Sequence, residues 1–218
     1  MWGRITKYGR VQRVIATCIR GRSQQTRWLS DGRYLNVGCG YNIADGFINL
    51  DYQWRPGIDL CWDMRVALPF EDGSLDGIFC EHALEHVTAD EGLAVLREFR
   101  RVLRPNGVAR VVVPDAAIYL QAYCRYQRGQ TFEIPLAPSP LPEGVTPLMA
   151  TGRVFLDHGH RCAYDKETLE NQMRRAGFAN VQHKAYGVGL DPVLLIDTPR
   201  RAVESLYMDA QPSVADVG

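Results

Sequence analysis

The sequence has no uncharged apolar run of about 18 residues, which is the length that a membrane-spanning helix requires. Its N-terminal part also lacks the uninterrupted apolar core of a signal peptide, so we expect neither membrane insertion nor secretion. No CxxC spacing occurs among the six cysteines, which are Cys18, Cys39, Cys61, Cys80, Cys124 and Cys162. We therefore expect reduced thiols in a cytoplasmic protein rather than a disulfide framework.

The sequence also has no net charge, because 25 Lys and Arg side chains balance 25 Asp and Glu side chains. The distribution is uneven, since the only acidic residue among residues 1–33 is Asp31. The basic residues of this segment are Arg4, Lys7, Arg10, Arg13, Arg20, Arg22, Arg27 and Arg33. Apolar residues between Tyr8 and Ile19 recur at three- and four-residue spacing, which predicts an amphipathic helix.

This basic N-terminal arm, residues 1–32, has three interpretations. The helix packs on the rest of the chain with its arginines in water, or it docks on an anionic membrane surface or a partner protein. Nucleic-acid binding is the least favoured, because no basic or aromatic pattern continues into the remainder of the chain. We therefore do not expect nucleic acid among the partners.

Residues 33–215 form one domain in our interpretation. With 218 residues and 46% hydrophobic content, the chain is long enough for one sizeable core but not for two typical domains. Residues 131–151 are rich in proline, with Pro135, Pro138, Pro140, Pro142 and Pro147. Such density predicts an inserted loop without regular structure, close to the functional site.

The most informative feature is an apolar strand that ends in a glycine turn, Leu35–Gly40. A second apolar strand, Phe47–Leu50, follows closely and ends at Asp51. Glycine lets the backbone approach a ligand, and a carboxylate at the end of the next strand can accept hydrogen bonds from both hydroxyls of a ribose. The pattern predicts a site for an adenosine-containing cofactor.

Only about nine residues separate these two strands, whereas a parallel crossover normally takes a dozen or more. The first crossover helix is therefore expected to be about one turn long or absent. This also argues against a dinucleotide enzyme, because the dinucleotide fingerprint needs a helix N-terminus beneath the pyrophosphate.

Strands and helices alternate along the rest of the chain. Further strands are predicted at Ile58–Asp63, Leu75–Cys80, Val108–Val113, Val181–Tyr186 and Glu204–Ala210. Helices are predicted after the capping box Thr88–Glu91, at Ala116–Arg128 and from Asp165 to Arg175. This alternation, with a final hairpin, predicts an α/β three-layer sheet that is mostly parallel with an antiparallel edge strand.

The ordered series of motifs resembles the class I S-adenosylmethionine-dependent methyltransferases. Within that class it is similar to a bacterial type 11 group found near polysaccharide biosynthesis functions. The matching segments are Gly38–Gly40, Asp51, Asp63–Met64, Leu68–Asp76, Leu84–His86, Arg101–Gly107 and Ala176–Phe178. The resemblance covers residues 33–210 and implies a Rossmann-like methyltransferase fold with S-adenosyl-L-methionine as the cofactor.

The resemblance also implies roles for individual residues. Gly38 and Gly40 would line the methionine portion of the cofactor, and Asp51 would bind its ribose. Asp63 would meet the adenine amino group, with Met64 against the ring, and Glu81 and His82 would lie beside the sulfonium. The full set of expected cofactor-binding residues is Asn36, Gly38, Cys39, Gly40, Asp51, Tyr52, Asp63, Met64, Glu81 and His82. Asn36 stands where the family commonly has an acid, and Asn42 replaces the usual third glycine.

Histidines supply the candidates for catalysis, because a hydroxyl acceptor must lose a proton and the imidazole pKa lies near neutrality. His82 is a base or substrate contact, and His86 is a second candidate that can instead make a structural hydrogen bond. His160 belongs to the cluster Asp157–Arg161, which is an acceptor-binding wall, a divalent metal site or an ordinary polar turn. We assign no metal, because His-x-His with one acid is too sparse a ligand set.

These observations lead to a hypothesis of O-methylation of a sugar, a glycolipid or another small metabolite. The expected partners are a small-molecule or saccharide acceptor, with membrane or protein contacts through residues 1–33 and homo-oligomerisation left open. The alternative is a non-catalytic methyltransferase-fold subunit that serves as a scaffold in a biosynthetic complex. A dehydrogenase is the third alternative.

Overall fold

The computed structural model describes residues 10–21 and 33–212. Its centre is a seven-stranded sheet with the strand order β3-β2-β1-β4-β5-β7-β6. The strands are β1 Tyr34–Val37, β2 Ile48–Asp51, β3 Leu60–Cys61, β4 Leu75–Glu81, β5 Leu103–Pro114, β6 Phe178–Lys184 and β7 Ser205–Pro212. The five strands from β3 to β5 are parallel neighbours, whereas β7 runs antiparallel to β5 and β6. The predicted mostly parallel α/β sheet is confirmed, and its antiparallel strand lies one place inside the edge.

Five α-helices surround this sheet in the described part of the chain. They are α1 Arg10–Ile19, α2 Ala89–Val102, α3 Ala116–Gln127, α4 Pro147–Leu156 and α5 Lys166–Arg175. The predicted capping box of α2 is confirmed, because Thr88 accepts from the amide of Glu91 and the Glu91 carboxylate accepts from the amide of Thr88. None of the helices in residues 10–21 and 33–212 is long and apolar enough to cross a membrane.

The two faces of the sheet carry separate apolar clusters. On β5, Ala109, Val111 and Val113 pack into a large cluster with residues of α2 and α5, including Leu96 and Met173. The alternate residues of the same strand face a smaller cluster that includes Phe79, Val108, Val112, Leu194 and Tyr207. Burial on both faces explains the near-continuous apolar sequence of β5, which is typical of a central strand.

The first crossover has no helix, as predicted, and two buried asparagines organise it instead. The Asn36 amide donates to the carbonyl of Asn42 at 2.8 Å and to the side-chain oxygen of Asn49 at 3.0 Å. Asn49 in turn accepts from the amide of Ala44 at 2.9 Å and donates to the Ala44 carbonyl at 3.0 Å. These bonds satisfy backbone groups that a helix would otherwise satisfy internally.

The proline-rich insertion is shorter than predicted, because Pro147 begins α4 instead of ending an irregular loop. Proline is tolerated at the first helical position, where its missing N–H would have no partner in the helix. Thr146 caps this helix by accepting from the amide of Met149 at 3.2 Å. Residues 147–151, which were expected to be irregular, are therefore helical.

The predicted helix of the N-terminal arm is present as α1, and it lies beside β3. The Cys61 thiol donates to the carbonyl of Ala16 at 3.9 Å, and Ala16 is fully buried. The side chain of Val14 is exposed. The remaining residues of the arm, 1–9 and 22–32, lie outside the described residues.

Candidate functional site

The glycine turn after β1 is held by close contact with the chain that follows β4. Gly38 and Gly40 both have left-handed backbone angles, with φ of 64° and 58°. A Cβ atom on Gly38 would lie only 2.4 Å from the Cβ of Ala83. Gly38 therefore serves packing between the ends of β1 and β4, in addition to any role in admitting a ligand.

Asp51 lies at the end of β2 and faces this turn. Its buried carboxylate accepts from the amide of Gly40 at 2.9 Å and from the amide of Gln53 at 2.7 Å. These amides occupy two of the about four lone-pair sites of a carboxylate, so Asp51 can also accept from a ligand hydroxyl. The guanidinium of Arg55 is 4.0 Å from the same carboxylate and lies over the ring of Tyr41.

Cys39 and Tyr52, two further residues expected in the cofactor site, have different environments near Asp51. Burial raises the pKa of the Cys39 thiol to about 12, so this group stays a neutral thiol. Tyr52 is exposed, and the Arg20 guanidinium lies 3.6 Å from the centre of its ring. Arg20 also donates to the Tyr52 carbonyl at 2.8 Å, which brings the end of α1 to this side of the site.

Asp63 follows β3 and forms an ion pair with Arg65. The Arg65 Nη2 atom donates to the carboxylate at 2.6 Å, and the Arg65 backbone amide donates at 3.0 Å. The side-chain hydrogen bonds from Arg65 hold the pKa of Asp63 below its usual range. Met64 is half-buried and packs against the main apolar cluster.

Asn36 has a different position from the one expected of a cofactor contact. It is 1% exposed, and both of its amide hydrogens are donated to the first crossover. The structure thus gives Asn36 a role in shaping the turn.

Glu81 and His82, at the end of β4, are covered by residues 187–204, which we call the covering segment. Thr198 of this segment donates to Glu81 through its amide at 2.9 Å and through its hydroxyl at 2.5 Å. Asn42 of the first crossover donates to the same carboxylate at 3.2 Å. Glu81 therefore ties the covering segment to the glycine-turn side of the site.

The ring of His82 is buried and hydrogen-bonded at both nitrogens. Arg201 donates to Nδ1, so Nδ1 carries the lone pair, and Nε2 donates to the Ser205 hydroxyl at 2.8 Å. The φ of His82 is 49°, a conformation that non-glycine residues rarely adopt. These contacts fix the ring orientation at the point where the methyl group was expected.

The covering segment is anchored by a buried ion cluster that the sequence pattern does not predict. Arg110 on β5 donates to both carboxylate oxygens of Asp197 at 2.6 and 2.7 Å, and to Asp209 at 2.7 Å. All three residues are less than 8% exposed. In the sequence, the cluster is marked only by a single arginine, Arg110, within the otherwise apolar run Val108–Val113. One polar residue in such a run does not by itself indicate a buried ion pair.

A second buried acid, Glu85, lies among three histidines next to the end of β4. Its Oε1 atom is 3.6 Å from His82 Nδ1, 3.9 Å from His86 Nε2 and 3.9 Å from His160 Nε2. The rings of His86 and His160 meet edge to face at a centroid distance of 5.1 Å. Burial lowers the pKa of the His160 imidazole below its ordinary value.

The expected site residues therefore divide into four groups. The glycine turn and Asp51 are in direct contact, and Glu81 joins them through Asn42. The three candidate histidines share one neighbour, Glu85. Asp63 and Met64 form the third group, since both follow β3, which lies next to β2 in the sheet. Asn36 stands alone, because its side chain is bonded to the first crossover.

Comparisons with known proteins find similarity to methyltransferases. A family profile described as a methyltransferase domain matches residues 20–111. A demethylmenaquinone methyltransferase of Lactococcus lactis is 32% identical over 173 residues, which are 72% of this chain and 60% of that protein. A protein of the same name from Roseiflexus castenholzii is 29% identical over 189 residues, which are 73% of each chain. The chain thus spans only 60% of the length of the Lactococcus relative.

The fold has a counterpart among solved structures. A SAM-dependent methyltransferase from Thermotoga maritima superposes with a TM-score of 0.51 at 16% identity, covering 93% of this chain and 89% of that one. The names of the two sequence relatives refer to a quinone and not to a saccharide, so the expected link to polysaccharide biosynthesis stays a prediction. The profile match covers less than half of this chain, whereas the sheet topology and the superposition show a Rossmann-like α/β fold.

Proposed function

We propose that the chain transfers a methyl group from S-adenosyl-L-methionine to a small-molecule acceptor. The observation that carries this proposal is the hydrogen bond between the Gly40 amide and the Asp51 carboxylate, where the ends of two adjacent parallel strands meet. Ligands of open α/β sheets bind outside the carboxyl ends of the strands, and Asp51 retains acceptor sites for hydroxyl groups.

The residues at this edge of the sheet are suited to an adenosyl sulfonium compound. Asp51 would hold the ribose, Gly38 and Gly40 would admit the methionine portion, and Met64 would pack against the adenine. The bound cofactor would supply an activated methyl group, so the protein has to align the acceptor, exclude water and, for a hydroxyl, accept a proton. The Asp63 carboxylate would keep one contact with Arg65 while it meets the adenine.

We further propose an acceptor with an apolar portion, and a demethylated quinone is the first compound to test. Two sequence relatives carry the name demethylmenaquinone methyltransferase. The apolar side chains of Leu148, Met149 and Leu156 on α4 and of Leu120 on α3 are exposed and could contact such a compound. A sugar or glycolipid hydroxyl is the second acceptor class, and it rests on the resemblance of the sequence alone.

Calorimetry with S-adenosylhomocysteine, the demethylated product, tests the cofactor assignment. Asp51→Asn should weaken binding by about tenfold or more, because a carboxylate accepts stronger hydrogen bonds than an amide. The matched control is Asp45→Asn, at an exposed acid on the adjacent loop, which should leave the affinity unchanged. Equal affinity of the Asp51 variant and the parent chain would remove Asp51 from the site.

A non-catalytic subunit is the second candidate, and one observation favours it. Both ring nitrogens of His82 are engaged by Arg201 and Ser205, so His82 can accept a proton only if Arg201 moves. Turnover with a panel of demethylated quinones and sugars separates the two candidates. Tight binding of S-adenosylhomocysteine without methylation of any acceptor would favour the scaffold.

A further inference from the structure

We propose that Glu85, His86 and His160 form a binding site for a divalent first-row transition metal, with zinc as the first metal to test. One ligand atom from each residue lies within 4.8 Å of the other two. Two imidazoles and one carboxylate are a ligand set of zinc sites that keep further positions for water or a substrate oxygen. Magnesium and calcium are disfavoured, because they prefer oxygen ligands throughout.

The hydrogen bonding of His160 directs a lone pair toward Glu85. The Nδ1 atom of His160 is 2.8 Å from the carbonyl oxygen of Val154, which can only accept a hydrogen bond. In the neutral tautomer, Nδ1 therefore carries the proton, and Nε2 presents its lone pair to the Glu85 carboxylate at 3.9 Å. A metal cation between these two acceptor atoms would interact favourably with both.

The bond from Nδ1 of His160 to a backbone carbonyl is also the usual second contact of a metal-binding histidine. Such a bond fixes the tautomer and the ring orientation of the ligand. His82, although close to Glu85, is not a ligand in this proposal, because its Nδ1 accepts from Arg201. The proposed metal site therefore adjoins His82 without including it as a ligand.

The backbone holds the two contributing segments together independently of these side chains. The amides of Arg161 and Cys162 both donate to the carbonyl of Glu85, at 2.8 and 3.2 Å. Glu85 and His86 lie on a single 3-10 turn, Leu84–His86, directly after β4. In the second segment, His158 and Gly159 have φ angles of 61° and 82° and form a turn. This turn directly precedes His160 and places it next to Glu85.

The observed spacing is close to that of a bound site. Tetrahedral coordination at about 2.1 Å separates neighbouring ligand atoms by about 3.4 Å. The two distances from Glu85 Oε1 are each 3.9 Å, so small side-chain rotations close the site. His86 is 36% exposed and has room for such a rotation.

The test is metal binding by the full chain, purified, stripped with a chelator and titrated with zinc in the absence of any methyl donor. We expect one equivalent of zinc to bind. His86→Ala and His160→Ala should each weaken binding by about 100-fold, since loss of a second-shell contact alone costs about 10- to 100-fold. His183→Ala, at an exposed histidine of β6, is the matched control and should bind zinc like the parent chain.

Two further measurements keep the outcome decisive. Glu85→Gln preserves the shape of the buried side chain, so weaker zinc binding by a variant with an unchanged thermal melt supports the carboxylate as a ligand. Cobalt substituted for zinc reports its ligands in its visible spectrum. A sulfur-to-cobalt charge-transfer band, zinc binding that survives in all three variants, or no binding by the parent chain would overturn the proposal. Because no methyl donor is used, these results are independent of the proposed transferase activity.

Discussion

Gly38 illustrates how one residue can meet two requirements at the candidate site. Its φ of 64° favours glycine, and a Cβ atom there would lie 2.4 Å from the Cβ of Ala83. Gly46 in the same crossover has a φ of 78°, but a Cβ atom there would have no neighbour within 4 Å. Comparison of Gly38 with Gly46 therefore separates the free-energy cost of the left-handed backbone conformation from the free-energy cost of steric overlap.

We expect Gly38→Ala to destabilise the fold more than Gly46→Ala does. The left-handed conformation costs about 1–2 kcal/mol at either position. The overlap with Ala83 should add about 1–3 kcal/mol at Gly38 only. Chemical denaturation of both variants measures the difference, and equal losses would mean that the ends of β1 and β4 separate without penalty.

The sequence predicted that Gly38, Gly40 and Asp51 lie at the ends of two neighbouring strands, because local strand and turn patterns define such positions. It did not predict that Asn36 supports the crossover, since that role depends on Asn49 across the strand pair. The neighbourhood of Glu85 and His160 was also missed. These residues are far apart in sequence, and only the contact between the 3-10 turn after β4 and the chain after α4 brings them together.

At the scale of elements, helix starts were predicted more accurately than the limits of irregular segments. Asp165 caps α5 as expected, because its carboxylate accepts from the amide of Thr168 at 2.8 Å. The predicted proline-rich insertion is too long at its C-terminal end, because Pro147 occupies the first helical position of α4, where proline is tolerated. The covering segment has 3-10 turns at 192–194 and 199–201 but no periodic pattern, so its contacts with β5 and β7 could not be inferred.

The Asp165 cap gives a prediction about pH. The hydrogen bonds from Thr168 lower the pKa of this carboxyl, so its stabilising effect is present above the ordinary pKa of about 4 and is lost as the pH falls through the lowered value. Asp165→Ala should cost about 1 kcal/mol at neutral pH, whereas Asp165→Asn keeps the cap and should cost less. Urea unfolding at several pH values should show the advantage of the parent chain over Asp165→Asn shrinking in acid. An advantage that is independent of pH would contradict this account.

At the scale of the whole molecule, Arg110 links the central sheet to the segment that covers the candidate site. Its guanidinium, fully buried, donates to Asp197 in the covering segment, to Asp209 on β7 and to the carbonyl of Val188. Each carboxylate also accepts from a backbone amide of the covering segment, Gly187 for Asp197 and Leu190 for Asp209. The cluster therefore determines where Thr198 and Arg201 meet Glu81 and His82.

Arg110→Ala should accordingly have both a global and a local effect. Removing one partner of a buried ion pair leaves uncompensated charge, which costs about 3–5 kcal/mol of folding free energy. Arg104, which is 42% exposed and pairs with Asp76 at 2.7 Å, provides the matched control, and Arg104→Ala should cost no more than about 1 kcal/mol. Hydrogen exchange should also show faster exchange in residues 187–204 of the Arg110 variant, at a denaturant concentration where both variants are folded. If those residues stayed as protected as in the parent chain, the covering segment would be held by its apolar contacts with β5 and β7, and Arg110 would contribute only to the sheet.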